Sequence, residues 1–159
     1  MVKNVYLFDN FLKKINLLNI FNIIILVTID IISKNYIINN IKLYNCYYVK
    51  SYLNFIYLQN YGIILGLFKN NYFNNIFLII NIIILIIIFF CIRYKDNSLS
   101  YNFIISGLLG NIINRINYGF VIDFIDLHIY SYHLPIFNIA DILIFIGIFI
   151  LMINYYISQ

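Results

Sequence analysis

The sequence predicts an all-α membrane protein, four transmembrane helices with a small β-element between the first two. Three observations carry that expectation. Of 159 residues, 64% are hydrophobic and only 10% are charged, whereas soluble domains run at about half apolar and a quarter charged. The polar residues are too few to coat a water-soluble surface of this size, and lipid removes that difficulty. Four stretches approach the roughly 20 apolar residues that a helix needs to cross the hydrocarbon core at about 1.5 Å per residue. No polar stretch is long enough for a separate water-soluble unit, so one membrane-embedded domain over residues 1–159 is expected.

The first span covers about Ile15–Ile38 and is interrupted by Asp30 and Lys34. It follows Lys13 and Lys14 as a signal peptide would, but its apolar part is too long and no small-x-small cleavage site follows, so it reads as a retained helix. The segment about Asn39–Phe73 is too polar to span. Within it, Leu43–Val49 and Leu53–Gln59 are rich in Tyr, Phe and Val and are separated by Lys50–Ser51. That composition fits two short strands of an interfacial hairpin, or equally a belt of tyrosines at the membrane–water boundary.

The second span, about Asn74–Ile92, holds the uncharged run from Ile82 to Phe90. The third, about Leu99–Tyr118, is softer, with Asn111, Asn114 and Arg115 near its end; the fourth, about Asn138–Ile157, opens on Asp141 and is apolar thereafter. An even number of spans puts both termini on one side. Lys3, Lys13, Lys14, Arg93 and Lys95 make that side cytoplasmic by the positive-inside tendency, although Lys42, Lys50 and Lys69 on the other side weaken the asymmetry.

The net charge of +4 comes from scattered basic residues, many near span ends, so no nucleic-acid partner is expected. Cys46 and Cys91 fall in different segments on opposite sides and read as unpaired small hydrophobes. The absence of Glu and Trp and the abundance of Ile, Asn, Tyr, Phe and Lys look like the codon usage of an AT-rich genome. Many asparagines are therefore drift, and each needs a positional argument.

The six carboxylates are all Asp: 9, 30, 96, 123, 126 and 141. Asp9 and Asp96 lie in polar loops. With alternating helix direction the other four fall on one side of the membrane, together with Asn111, Asn114, Arg115 and Asn138. Ionisable groups at membrane depth are costly, face the bundle interior and are functional candidates. Asp123 and Asp141 are read as functional, and Asp126 as a charge marking a helix end at the interface. Gly107, Asn111 and Asn114 recur at i, i+4, i+7 and share a helix face, as do Asn138 and Asp141 at i, i+3. Asp30 and Lys34 at i, i+4 read as a structural ion pair.

Two carboxyls held together in a low-dielectric pocket cannot both ionise, so one acts as acid while the other acts as base on a water molecule. That is aspartic peptidase chemistry and needs no metal. A loop containing Pro135 joins the segments bearing Asp123 and Asp141, and it can fold them face to face. HExxH, GxSG and GxGD motifs are absent. His128 and His133 lie i, i+5 without further His or Cys beside them, and Asp123 with Asp126 offers too few oxygens for calcium, so no metal and no cofactor are expected. The rival reading of the same charges is a small transporter or assembly subunit that uses them for ion or helix contacts.

The motifs resemble one family. GNIINRINYGFVIDFID (Gly110–Asp126) is similar to the lipoprotein signal peptidase signature, approximately GNxxDRxxxGxVxDF, and FNIAD (Phe137–Asp141) to that family's FNxAD. TIDIISK (Thr28–Lys34) resembles its first-helix Asp-x-x-x-Lys element, and QNYGIILGLF (Gln59–Phe68) its Asn-x-Gly segment. The resemblance implies a multi-pass enzyme of the bacterial cytoplasmic membrane with an extracytoplasmic β-element and active site and cytoplasmic termini. It implies an aspartic endopeptidase that removes signal peptides from prolipoproteins just before a lipid-modified cysteine, and it places a catalytic pair on Asp123 and Asp141. Supporting residues would be Asn60, Asn111, Arg115 and Asn138, with Asp30 and Lys34 nearby. Prolipoprotein substrates and membrane lipids are the implied partners of a monomer. Two departures stand out: Asn114 replaces the family's usual Asp before Arg115, and Ile63, Ile64 and Leu65 replace alanine-rich text.

Overall fold

The computed structural model describes residues 17–62, 71–91 and 98–158. Lys3, Asp9, Lys13, Lys14, Ile63–Leu65, Lys69, Arg93, Lys95 and Asp96 lie outside the described residues, as does the Cys91 side chain; Cys46 is an exposed free thiol. The order of elements is α1 (Leu17–Asn40), β1 (Cys46–Lys50), β2 (Leu53–Asn60), α2 (Asn71–Cys91), α3 (Ser98–Tyr118), β3 (Val121–Ile129), β4 (Tyr132–His133) and α4 (Ile139–Ile157). The helix limits agree with the sequence reading to within a turn. Among the described residues, α1 and α4 are each long and apolar enough to cross a membrane, with mean hydropathies of 1.9 and 2.1. Their large side chains project outward: Phe21, Ile24, Ile32, Phe145, Phe149 and Met152 are all exposed, a surface that water does not tolerate and lipid does.

The bundle closes through small residues on α3. A Cβ added at Gly107 would collide with the Ala140 carbonyl of α4, and one at Gly110 would collide with the Asp30 carboxylate of α1. Close approach of backbones is how helices associate where lipid cancels the hydrophobic drive. Buried Tyr101, Ile104 and Leu108 of α3 pack with Ile88 of α2, and Ile144 and Leu151 of α4 lie against them.

The sheet is larger than expected. The described strands pair in the order β1-β2-β3-β4, all antiparallel. The expected hairpin between the first two helices is present as β1 and β2. It begins at Cys46 rather than Leu43, because the chain first turns through Tyr44 at φ 64°. The correction concerns β3 and β4, which come from the connection between α3 and α4 that was read as a loop. Val121–Ile129 hides as a strand because it is buried on both faces over Val121–Phe124, so it lacks the alternation that marks a half-buried strand. Gly119, at φ 77°, ends α3 with its N–H on the Arg115 carbonyl and turns the chain into β3.

One irregularity in the sheet decides the site. Phe55 opposes Ile125 but Leu58 opposes Asp123, so β2 holds one residue more than β3 between these pairs. This bulge flips the faces of β2 on either side of it.

Candidate active site

Asp123 lies on β3, is 2% exposed, and faces two amide donors. Asn60 Nδ2 donates to its Oδ2 at 2.8 Å from the end of β2, and Asn138 Nδ2 donates to its Oδ1 at 2.7 Å. Asn138 arrives there because Phe137 is stitched to β3: Phe124 and Ile125 both donate to the Phe137 carbonyl, and Phe137 N–H returns to Ile125 O. Asn60 is itself fixed, its Oδ1 accepting from Gly62 N–H at 2.7 Å. A Cβ on Gly62 would strike the Phe77 ring, and its φ of 105° also favours glycine.

Asp141 is positioned by the start of α4. Asn138 is the N-cap of that helix. Its side chain accepts from Asp141 N–H at 3.0 Å, while Asp141 Oδ2 accepts from Asn138 N–H at 3.2 Å, a complete capping box. The Asp141 carboxylate thus stands at a helix N-terminus, where the aligned backbone dipoles favour a negative charge. Asn111 Nδ2 of α3 donates to its other oxygen at 2.9 Å.

Asn138 therefore holds both acids, one through its amide nitrogen and one through its cap. The network extends inward. Asn111 Oδ1 accepts from Asn138 Nδ2 at 3.3 Å and from Lys34 Nζ at 2.9 Å, and Lys34 pairs with Asp30 at 2.7 Å. Asp30 Oδ1 accepts from Ala140 N–H at 2.9 Å, another donor in the first turn of α4. Asp30 and Lys34 are both 0% exposed. The ion pair expected from their spacing is present, and it ties α1 to α3 and α4 directly behind the two acids.

Burial first, and the Asp141 charge second, push Asp123 up to about 7, despite the opposing hydrogen bonds from Asn60 and Asn138 and the charge of Lys34. At neutral pH Asp123 is thus poised to hold or release a proton.

Of the residues singled out from sequence, Asp30, Lys34, Asn60, Asn111, Asp123, Asn138 and Asp141 form one connected set. Arg115 does not join it. Its guanidinium is buried, lies over the Phe77 ring at 5.9 Å, and its Nε and Nη1 meet no hydrogen-bond partner among the described residues. Asn114, where the family pattern has Asp, accepts from Ile122 N–H at 3.1 Å and pins the start of β3 instead. Sequence reasoning misjudged Asp126. It lies within β3 rather than at a helix end, is 5% exposed, accepts from Asn54 at 3.1 Å and meets His133 Nδ1 at 2.7 Å. The reason is the strand that had been read as loop. The missed signal was the alternation of Asp126 and His128 at i, i+2.

The chain is similar to known proteins over most of its length. The profile of the family described as Signal peptidase (SPase) II matches residues 22–157. The chain is 44% identical over 139 residues to a lipoprotein signal peptidase of Wigglesworthia glossinidia brevipalpis, covering 83% of this chain and 90% of that one. It is 43% identical over 141 residues to one from Rickettsia conorii, covering 84% and 70%. Among solved structures, a bacterial membrane enzyme determined by the in meso method at 2.3 Å resolution superposes with a TM-score of 0.76 at 30% identity, covering 87% of each chain. The chain belongs to the signal peptidase II family and is a membrane protein.

Proposed function

We propose that this chain is an aspartic endopeptidase that removes the signal peptide from lipid-modified prolipoproteins, cutting just before the diacylglyceryl-cysteine. The observation that carries the reading is Asn138, whose side chain and cap bring Asp123 and Asp141 into one hydrogen-bonded network. In this reading α1 to α4 are four membrane spans of a single domain in the bacterial cytoplasmic membrane. The termini are cytoplasmic, and the sheet and the two acids lie toward the extracytoplasmic side. The enzyme works as a monomer, and its substrate enters sideways from the lipid.

The chemistry follows from the two environments. Asp141, receiving hydrogen bonds from Asn111 and from the cap, serves as the base; Asp123, raised to about 7, serves as the acid. A water held between them loses a proton to Asp141 as its oxygen bonds the scissile carbonyl carbon, and Asp123 protonates the carbonyl oxygen. The tetrahedral adduct collapses when the C–N bond breaks. Asp141 then passes its proton to the departing amine of the cysteine, and the adduct's hydroxyl returns a proton to Asp123. Asn111 and Asn138 orient the acids. Buried Arg115, whose Nε and Nη1 meet no hydrogen-bond partner among the described residues, supplies donors for substrate backbone.

The test is turnover of a lipidated precursor by purified protein in detergent. Asp123→Asn and Asp141→Asn should each remove cleavage while the protein inserts and unfolds as before. Retained turnover in either variant would exclude the pair, and a wild-type protein inert toward every lipidated precursor would favour a non-catalytic membrane subunit.

A further inference from the structure

The β3–β4 hairpin carries a second constellation, on the strand face away from the acids. Asp126, His128 and His133 each offer one ligand atom, and these atoms lie within 4.8 Å of one another. The hairpin builds this set. Asp126 and His128 alternate onto one face of β3, and the short turn at Tyr130–Ser131 brings His133 directly opposite His128.

Each member is held by its backbone or by a neighbour. His128 N–H donates to Tyr52 O at 3.0 Å, and Leu134 N–H donates to Leu127 O at 2.9 Å. Asn54 Nδ2 fixes Asp126 Oδ2 at 3.1 Å, which leaves Oδ1 toward His133. An outer amide of this kind is how ligating carboxylates are commonly aimed. His128 Nδ1 is buried without a hydrogen-bond partner among the described residues and stands 3.9 Å from Asp126 Oδ2. A buried polar nitrogen left unsatisfied is costly and needs an explanation.

The geometry points to a binding site for one divalent cation of the zinc class, held by Asp126, His128 and His133 with water completing the shell. Two imidazoles and one carboxylate are borderline ligands that suit zinc and its neighbours rather than magnesium or calcium. Tetrahedral donors about 2.1 Å from a zinc ion stand roughly 3.4 Å apart; here the three donor atoms lie within 4.8 Å of one another, with His133 Nδ1 2.7 Å from Asp126 Oδ1 and His128 Nδ1 3.9 Å from Asp126 Oδ2. Closure requires the side chains to rearrange. The imidazoles stack at 4.8 Å with an interplanar angle of 18°, so His133 must swing to splay the planes. Its side chain is 51% exposed and free to do so. In the bound form His133 carries its proton on Nε2 and presents Nδ1, so the cation replaces the hydrogen bond to Asp126. The site would clamp β4 to β3, the strand that carries Asp123.

The test uses the full chain, purified without a histidine tag in detergent and titrated with Co²⁺ and then Zn²⁺. One equivalent of Co²⁺ should give the visible absorption of a four-coordinate ion, Zn²⁺ should displace it, and Zn²⁺ should raise the unfolding temperature. His133→Ala, which alters an exposed side chain, should weaken binding by about 100-fold or more and abolish the spectrum. Asp123→Asn should leave both unchanged, separating this site from the proposed catalytic one. Failure of the wild-type chain to bind either ion below millimolar concentration would overturn the inference, as would a Co²⁺ spectrum that survives in His133→Ala.

Discussion

Asp123 and Asp126 sit three residues apart on β3, both buried, and the fold gives them opposite surroundings. Asp123 points to the seam between sheet and helix bundle, where it meets two amides and feels the charge of Asp141. Asp126 points the other way, to Asn54 and the two histidines. The odd spacing puts them on opposite faces of the pleat. What each can do is set by its neighbours: a nearby anion and deep burial prepare an acid, whereas two imidazoles prepare an ion pair or a metal ligand. Chain proximity conveys neither role.

The sharpest way to break this contrast is to neutralise each acid in turn. Asp123→Asn should lower turnover of a lipidated precursor on the order of 10³-fold or more, since it removes the proton donor. Asp126→Asn should keep turnover within about tenfold and act on hairpin stability instead. Equal losses in the two variants would mean that β3 works as a unit and that the faces are not distinct.

Asp30 is a third buried carboxylate and extends the comparison, because it alone has a full countercharge at contact distance. Lys34→Met strands that carboxylate and should cost roughly 3–5 kcal/mol in unfolding measurements, the toll of breaking a buried pair from one side. Combining it with Asp30→Asn should recover much of the loss, because no buried charge then remains. If the double variant is no more stable than the single one, the pair's hydrogen bonds to Asn111 and Ala140 outweigh its charges.

These three carboxylates also show how much was legible beforehand. Asp30 and Lys34 were readable from i, i+4 spacing alone, since a helix supplies the geometry. Asn111, Asn138 and Asp141 were readable because ionisable and amide groups in apolar helices have few places to go. The helices announced themselves by length and hydropathy. Asp126 was not readable. Its partners depend on pairing between strands distant in sequence, on a two-residue turn, and on a strand whose polar residues, Asp123, Asp126 and His128, do not keep a single period-two pattern. Arg115, whose Nε and Nη1 meet no hydrogen-bond partner among the described residues, belongs to the same class, because which groups surround it is a matter of tertiary packing.

The pH profile sharpens the account of Asp123 itself. Its folded value of about 7 lies above the ordinary 3.8, so the protonated, acid-competent form is lost as pH rises through 7. Turnover should therefore fall about tenfold per pH unit above that point. A profile flat from pH 6 to 9 would remove Asp123 from the acid role.

The smallest expected effects test the bulge in β2. Asn54 and Asn60 are six residues apart, an even spacing that in a regular strand would place them on one face. The extra residue between Phe55 and Leu58 sends them to opposite faces, Asn54 to Asp126 and Asn60 to Asp123. Asn60→Ala should lower turnover by about tenfold, as the loss of a hydrogen bond to a charged group of roughly 1.5 kcal/mol would do. It should also shift the alkaline limb to higher pH, because the Asn60 hydrogen bond holds Asp123 down. Asn54→Ala should leave the limb in place and lower the unfolding free energy by about 1 kcal/mol. A limb that moved in Asn54→Ala as far as in Asn60→Ala would mean that both amides reach the same carboxylate, and the bulge would then have no part in dividing the two faces.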